Sequence, residues 1–227
     1  VGSINEQTSE TSQRQRKRNP RGQGARLREE IIAGATTVLE RTGSEDTVSL
    51  RAIAREVGIS APSISRHFSD LTEIIDEVVA EELTGLYHAI LTAAGQGGEP
   101  VERFIRMCRS YVNYARTHPA GYRVLIGRRY LDDWEDRNLT MERTAPIMAA
   151  AITLFSDTIR ACVDAGDSAS TNAPFDTLVT WFALHGLVTV PAAITSLEWP
   201  DDDLLLEAAV SRAARLTRAP RREPDQS

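Results

Sequence analysis

Between Thr47 and Phe68 the chain reads TVSLRAIAREVGISAPSISRHF, with apolar anchors at Ile53, Val57, Ile59 and Ile64 among polar and small residues. This pattern predicts two short helices, 50–57 and 61–67, joined by a tight turn. Ala54 is small where two helices would cross. Gly58 follows the last periodic residue of the first helix, the position where a left-handed backbone is wanted and a Cβ is unwelcome. Ser49 and Ser60 can each cap a helix, and Pro62 falls in a first turn, where its missing N–H costs nothing. The unit is either a helix-turn-helix, whose second helix enters the major groove of DNA, or an ordinary helical hairpin.

The flanks extend the helical pattern. Leu27, Ile31, Ala35, Val38 and Leu39 form a stripe that ends at Gly43. Asp70 and Glu73 form a capping-box-like pair, and Leu71, Ile75, Val78, Val79, Leu86 and Ile90 continue as a stripe over a long helix. Further helices are expected near 100–118, 120–128, 142–165, 175–194 and 202–217, separated by AAGQGGEP, His118-Pro119, DDWEDRNLT, GDSASTNAP and EWPDDD. Asp202 or Asp203 can cap the last of them. No alternating strand pattern and no fixed repeat occurs. The expected fold is all-α: a three-helix unit over 25–70 and a larger helical domain over 71–218. An arm over 1–24 and a tail over 219–227 are expected to be disordered. The helix beginning at Asp70 is the only continuous link between the two domains in this reading.

The last two helices carry more apolar surface than one packed side needs. Phe175, Leu178, Val179, Phe182 and Leu187 lie on one, and Leu204, Leu205, Leu206 and Val210 on the other. Burial inside the monomer is one reading; a bundle across a two-fold axis, with Leu206 and Val210 in the interface, is the other.

The net charge of −6 argues at first against nucleic acid, but its distribution reverses that. Residues 1–70 hold 11 basic and 9 acidic side chains, and the remainder 15 and 23. The basic run comprises Arg14, Arg16, Lys17, Arg18, Arg21, Arg26 and Arg28 with no acid between them. A basic head on an acidic body suits DNA, with the run either a phosphate-tracking arm or a solvated tail. No run approaches the ~20 apolar residues of a membrane span, and no signal peptide is expected. Cys108 and Cys162 have no metal-ligand spacing, which leaves a small buried role or a redox one. The four histidines, His67, His88, His118 and His185, form no HExxH pair, and GxSxG, P-loop and CxxC motifs do not occur. A small helical enzyme and a sequence-indifferent DNA-compacting protein remain as alternatives. No cofactor and no metal are expected.

From Leu27 to Val79 the order of long helix, LRAIAREVGIS turn, short helix ending in His67-Phe68 and long connecting helix resembles the TetR family of bacterial one-component transcriptional repressors. Where that family has Leu-Tyr-x-x-Phe, this chain has Ile64-Ser65-Arg66-His67-Phe68, and Asp70 lies near the place of the family's lysine. Trp181-x-x-x-His185-Gly186, with Pro119 and Tyr122, looks like the Trp-His-Gly signature of the WHG-type C-terminal domain. The resemblance implies a cytoplasmic dimer, joined through the helices near 175–194 and 202–217, that binds a pseudo-palindromic double-stranded DNA operator and is released by a small-molecule inducer. Groove contacts fall to Ala61, Ser63, Ser65, Arg66 and His67. Phosphate contacts fall to Ser49, Ser60, Arg26 and the arm residues Arg14, Arg16, Lys17, Arg18 and Arg21. Inward candidates for a ligand pocket are Phe104, Met107, Cys108, Tyr111, Tyr114, Phe155, Trp181 and His185. At helical spacing each reads more readily as core, and Tyr111 and Tyr114 stand out over Phe104 because a buried hydroxyl needs a partner that a ligand can supply. Trp181, His185 and Gly186 either touch ligand or fix helix packing.

Overall fold

A computed structural model describes residues 24–43, 47–127 and 138–218. The expectations for Arg14, Arg16, Lys17, Arg18 and Arg21, and for the segment 219–227, lie outside the described residues. Among those described, nine helices follow one another. The first three are α1 Gly24–Thr42, α2 Leu50–Val57 and α3 Ala61–Ile64. The body then holds α4 Leu71–Ala94, α5 Pro100–Thr117, α6 Pro119–Gly127, α7 Asn138–Asp164, α8 Ala173–Ala193 and α9 Asp202–Ala213.

The head is built as its sequence dictates. Ile31, Ala35, Val38 and Leu39 of α1 close over Ile53 and Ala54 of α2, Ile64 of α3 and Phe68, all buried. Ser49 caps α2, its side chain accepting from the Ala52 N–H at 3.2 Å. Gly58 turns the chain at φ 73°, and the Ile59 N–H donates to the Ala54 carbonyl at 2.9 Å. The helix crossing is tightest at Gly34, where a Cβ would stand 2.5 Å from Val57 Cγ2.

Several local expectations need correction. Regular helix in α3 ends at Ile64 rather than at 67. The N–H groups of His67 and Phe68 both donate to the Ile64 carbonyl, and burial of Phe68 pulls the chain inward. Ser60 stands before α3 without capping it; its hydroxyl pairs with that of Ser63 at 2.8 Å. Glu73 reaches back to the Ser69 N–H at 2.7 Å, one residue earlier than a strict capping box. The cap of α9 is Asp201, not Asp202 or Asp203, because those two point to Arg116 and Arg109 on α5. That helix stops at Ala213: Arg215 adopts φ 52°, and the chain turns back to meet Ser168.

In the body, α4 packs on α5 and α7, α7 on α8, and α8 on α9. Phe104, Met107 and Cys108 of α5 meet Phe155, Ile159 and Cys162 of α7 in one core. Leu206 and Val210 are 4% and 0% exposed, so they are monomer core and not interface. Thr144–Asp164 is, contrary to expectation, long and apolar enough to cross a membrane by composition, with mean hydropathy 1.3. Ile159 and Cys162 turn into the core, and the same stretch exposes the charged Asp157 and Arg160.

The body touches the head twice. Ile74, Ile75, Val78 and Val79 of α4 complete the head core. In addition, α6 packs against both α4 and α1, and a Cβ at Gly43 would lie 3.7 Å from the Arg123 guanidinium. The helix from Asp70 is therefore the continuous link but not the only contact.

The two serines before α2 and α3 should behave differently. Ser49→Ala should lower stability by about 1 kcal/mol in urea denaturation, the usual cost of losing a cap. Ser60→Ala should cost only a few tenths of that, since its hydroxyl satisfies no backbone donor.

Candidate nucleic-acid interface and ligand cavity

A one-turn helix cannot hold its own position, because nucleation costs more than one turn returns. Here Arg28 of α1 holds it. The Arg28 guanidinium donates to the His67 carbonyl at 2.6 Å, pairs with Glu77 at 2.6 Å and Glu73 at 3.1 Å, and lies 4.1 Å over the Phe68 ring. One side chain thus ties α1, the end of the α3 turn and α4 together. Arg28 belongs to the basic run in sequence but is half-buried and commits its guanidinium to protein partners.

Around α3, Ser65 and Arg66 are exposed, while Ala61, Ser63 and His67 are half-buried. Ser60 is exposed at the start of α3, and Ser49 stands exposed before α2. Arg26 is exposed and paired with Glu30 at 3.1 Å, one turn away. Arg51 and Arg55 escaped the sequence reading. Both are exposed on α2 at i, i+4 spacing and make no ion pair among the described residues. Alternation of charge with apolar anchors in LRAIAREV could have signalled them.

The body holds a partly open cavity of about 340 Å³ between α4, α5, α6, α7 and α8, with the exposed Ile126 and Phe182 among its lining. Its walls are largely aliphatic and aromatic, with Leu83, Leu86, Tyr87 and Ile90 supplied by α4. Four of the proposed inward residues, Tyr111, Phe155, Trp181 and His185, line it. The other four do not. Phe104, Met107 and Cys108 are 0% exposed and packed into the α5–α7 core. Tyr114 faces α4, where its hydroxyl donates to Glu82 at 3.2 Å and its ring stacks on His118 at 4.1 Å. Glu82 is raised above the usual carboxylate range by burial, and Gly121 of α6 sits so close that a Cβ would collide with its carboxyl group.

At one end of the cavity lies a hydrogen-bonded cluster. The Tyr122 hydroxyl stands 2.5 Å from His185 Nδ1 and 3.0 Å from the Tyr111 hydroxyl, which is itself 3.2 Å from Nδ1. Trp181 packs edge-on to the His185 ring at 4.7 Å. Burial lowers His185 to about 4, so the ring is neutral near pH 7. Burial pushes Tyr122 up to about 12 and Tyr111 higher still. Cys162 is pushed up to about 11, and Cys108 also rises, so both stay protonated thiols, which disfavours the redox reading. Gly186 meets nothing: a Cβ there would find no atom within 4 Å in the monomer.

A helix-turn-helix head fused to a helical body defines a DNA-binding transcription regulator as the class of protein. Comparisons with known proteins agree. Residues 31–78 match the family model described as bacterial regulatory proteins, tetR family. Residues 104–214 match that of the tetracyclin repressor-like, C-terminal domain, a span that includes Trp181, His185 and Gly186. An uncharacterized HTH-type transcriptional regulator of Mycobacterium tuberculosis is 28% identical over 165 residues, covering 71% of this chain and 68% of that protein. Among solved structures, a protein of unknown function from Rhodococcus sp. RHA1 superposes with TM-score 0.70 at 25% identity, over 85% of this chain and 96% of its own. The TetR family transcriptional regulator PfmR from Thermus thermophilus shares the fold, with TM-score 0.63 at 15% identity over 83% and 98% of the two chains. The chain belongs to the TetR family of transcriptional regulators, which are DNA-binding transcription factors and not enzymes.

Two outcomes follow from the geometry. Arg28→Met should lower stability by about 1–3 kcal/mol, because it strips a partner from the His67 carbonyl and from Glu77; chemical denaturation checks this. His185 should give the stability a pH dependence. The folded ring protonates only near 4, whereas the unfolded one does so near 6.5. The contribution is therefore full above about pH 6.5 and is lost progressively as pH falls toward 4. In urea titrations across that window, His185→Asn should flatten the slope.

Proposed function

We propose that the protein is a ligand-responsive repressor that binds a pseudo-palindromic operator as a dimer and releases it when a small molecule fills the body cavity. The observation that carries this reading is the double use of α4. Its residues Ile74, Ile75, Val78 and Val79 lie in the head core, and its residues Leu83, Leu86 and Ile90 form a cavity wall. Occupancy of the cavity can move the head only through a shared element of this kind. A second route runs through α6, whose Leu125 and Ile126 line the cavity while the helix packs on α1.

Exposed apolar side chains support the dimer. Phe175, Leu178, Phe182, Val190 and Ile194 lie along α8 and its C-cap at helical spacing, with Phe175 61% and Phe182 66% exposed. Gly186 falls in the same stripe, midway between Phe182 and Val190, where its bare backbone suits close approach of a partner helix. Two heads related by a dyad require inverted half-sites. Arg66, exposed beyond α3, is the side chain suited to bidentate contact with guanine, and Arg51 and Arg55 can reach phosphates. On this reading the protein works in the cytoplasm, where its DNA is.

Selection of bound fragments from random DNA should recover an inverted repeat. Arg66→Ala should cost about 1–3 kcal/mol on that site and relax one base pair per half-site. Recovery of sequences without dyad symmetry would overturn the reading. Phe182→Glu should give a folded monomer by sedimentation with tight operator binding lost. Leu206→Glu should instead unfold the body, since Leu206 is buried in the monomer.

A further inference from the structure

We infer that the body cavity takes an uncharged, largely apolar molecule carrying two oxygen functions about 12 Å apart, one met by His185 with Tyr111 and the other by Thr177. This rests on the reading of the cavity as the effector site.

The cavity-facing stripe of α8 places Thr177, Trp181 and His185 at successive i, i+4 positions. Eight residues at 1.5 Å rise separate Thr177 from His185 by about 12 Å along the helix. Between them the wall offers Trp181, Leu184 and, from across the cavity, Phe155 and Ile152. Thr177 and His185 therefore stand about two helical turns apart, with an apolar stretch of wall between them.

Each end has hydrogen-bonding capacity that is unmet or only weakly met. Thr177 is 4% exposed, and its hydroxyl has no hydrogen-bond partner. Buried hydroxyls are nearly always paired, so an orphan on a cavity wall marks where a ligand oxygen belongs. Thr180, which also lines the cavity, differs: its hydroxyl already donates to the Asp176 carbonyl at 2.8 Å. At the other end the Tyr122 hydroxyl and His185 Nδ1 share a hydrogen bond at 2.5 Å. With Tyr122 donating to Nδ1, the neutral ring carries its proton on Nε2. The neighbour of Nε2 is the Tyr111 hydroxyl at a long 3.4 Å, a contact that a ligand carbonyl or hydroxyl oxygen can replace. Tyr111, beside it on the same wall, can complete the contact.

Charge is excluded by what lines the cavity. No Asp, Glu, Lys or Arg is among the lining residues, and the His185 ring is held neutral by burial. A carboxylate would enter with no counter-ion. An ammonium would have only aromatic faces to meet it, and cation–π attraction does not offset the desolvation of a buried ion.

Four probes of equal chain length test this: 1,10-decanediol, 1-decanol, decanoate and decylammonium. Binding to the full chain is followed by tryptophan emission, since Trp181 lines the cavity. The diol should bind about fivefold or more tightly than the mono-alcohol. Both ions should bind at least about tenfold more weakly than the diol. Thr177→Val, nearly isosteric, should bring the diol to the level of the mono-alcohol and leave the mono-alcohol unchanged. A charged probe that binds as well as the diol overturns the inference and leaves the cavity reading intact, as does a Thr177→Val variant with undiminished preference for the diol. If none of the four perturbs the emission, the cavity is not an effector site and both readings fall.

Discussion

The burial of α4 along its whole length is the constraint on which the rest depends. Twenty-four residues make a rod of about 36 Å. Its buried positions run without a break from Ile74 and Ile75 through Val78, Val79 and Leu83 to Leu86 and Ile90. The first turns close the core beneath the helix-turn-helix, and the later turns wall the cavity. Neither core can be repacked without moving the same rod. Packed interiors shift between discrete arrangements and do not deform continuously, so such a rod passes on displacement and does not absorb it. Its start is pinned by the Asp70 side chain at 2.8 Å from the Glu73 N–H, and by Arg28, which joins that first turn to α1.

Helix α3 depends on tertiary support for a different reason. As a single turn, α3 has almost no helical stability of its own. Two things position it: the buried Ile64 and Phe68, and the Arg28 guanidinium on the His67 carbonyl. Arg66 stands between these two fixed points, exposed and free of ion pairs among the described residues. Small motions of α1 or α4 therefore reach Arg66 through a short, stiff lever.

The parts of the fold governed by local chemistry were legible in the chain. Gly58 announces its left-handed turn, Ser49 and Asp70 their caps, and the stripes of α1 and α4 their buried faces. Where partners compete for one group, or remote segments decide, the pattern is silent. Ser60 has the composition of a cap, yet Ser63 engages its hydroxyl instead. Nothing local in the basic run distinguishes Arg28, which turns inward to Glu77, from the exposed Arg26. In the cavity, Phe104, Met107, Cys108 and Tyr111 share one apolar stripe of α5, but only Tyr111 looks into space. Periodicity tells which face is buried, not whether it meets a helix or a void. Leu206 and Val210 fail as interface residues on the same ground. Thr177 reads as an ordinary helix residue until the void beside it is known.

Hydrogen exchange of the protein with and without the DNA fragment it selects tests the central claim most directly, since it needs no ligand. DNA at the head should change protection in the cavity-wall half of α4, Leu83 to Ile90, and in α6, although neither segment touches the head's outer face. Changes confined to α1–α3 and the first turns of α4, as far as about Val79, would show that the rod does not carry the coupling and would contradict the account.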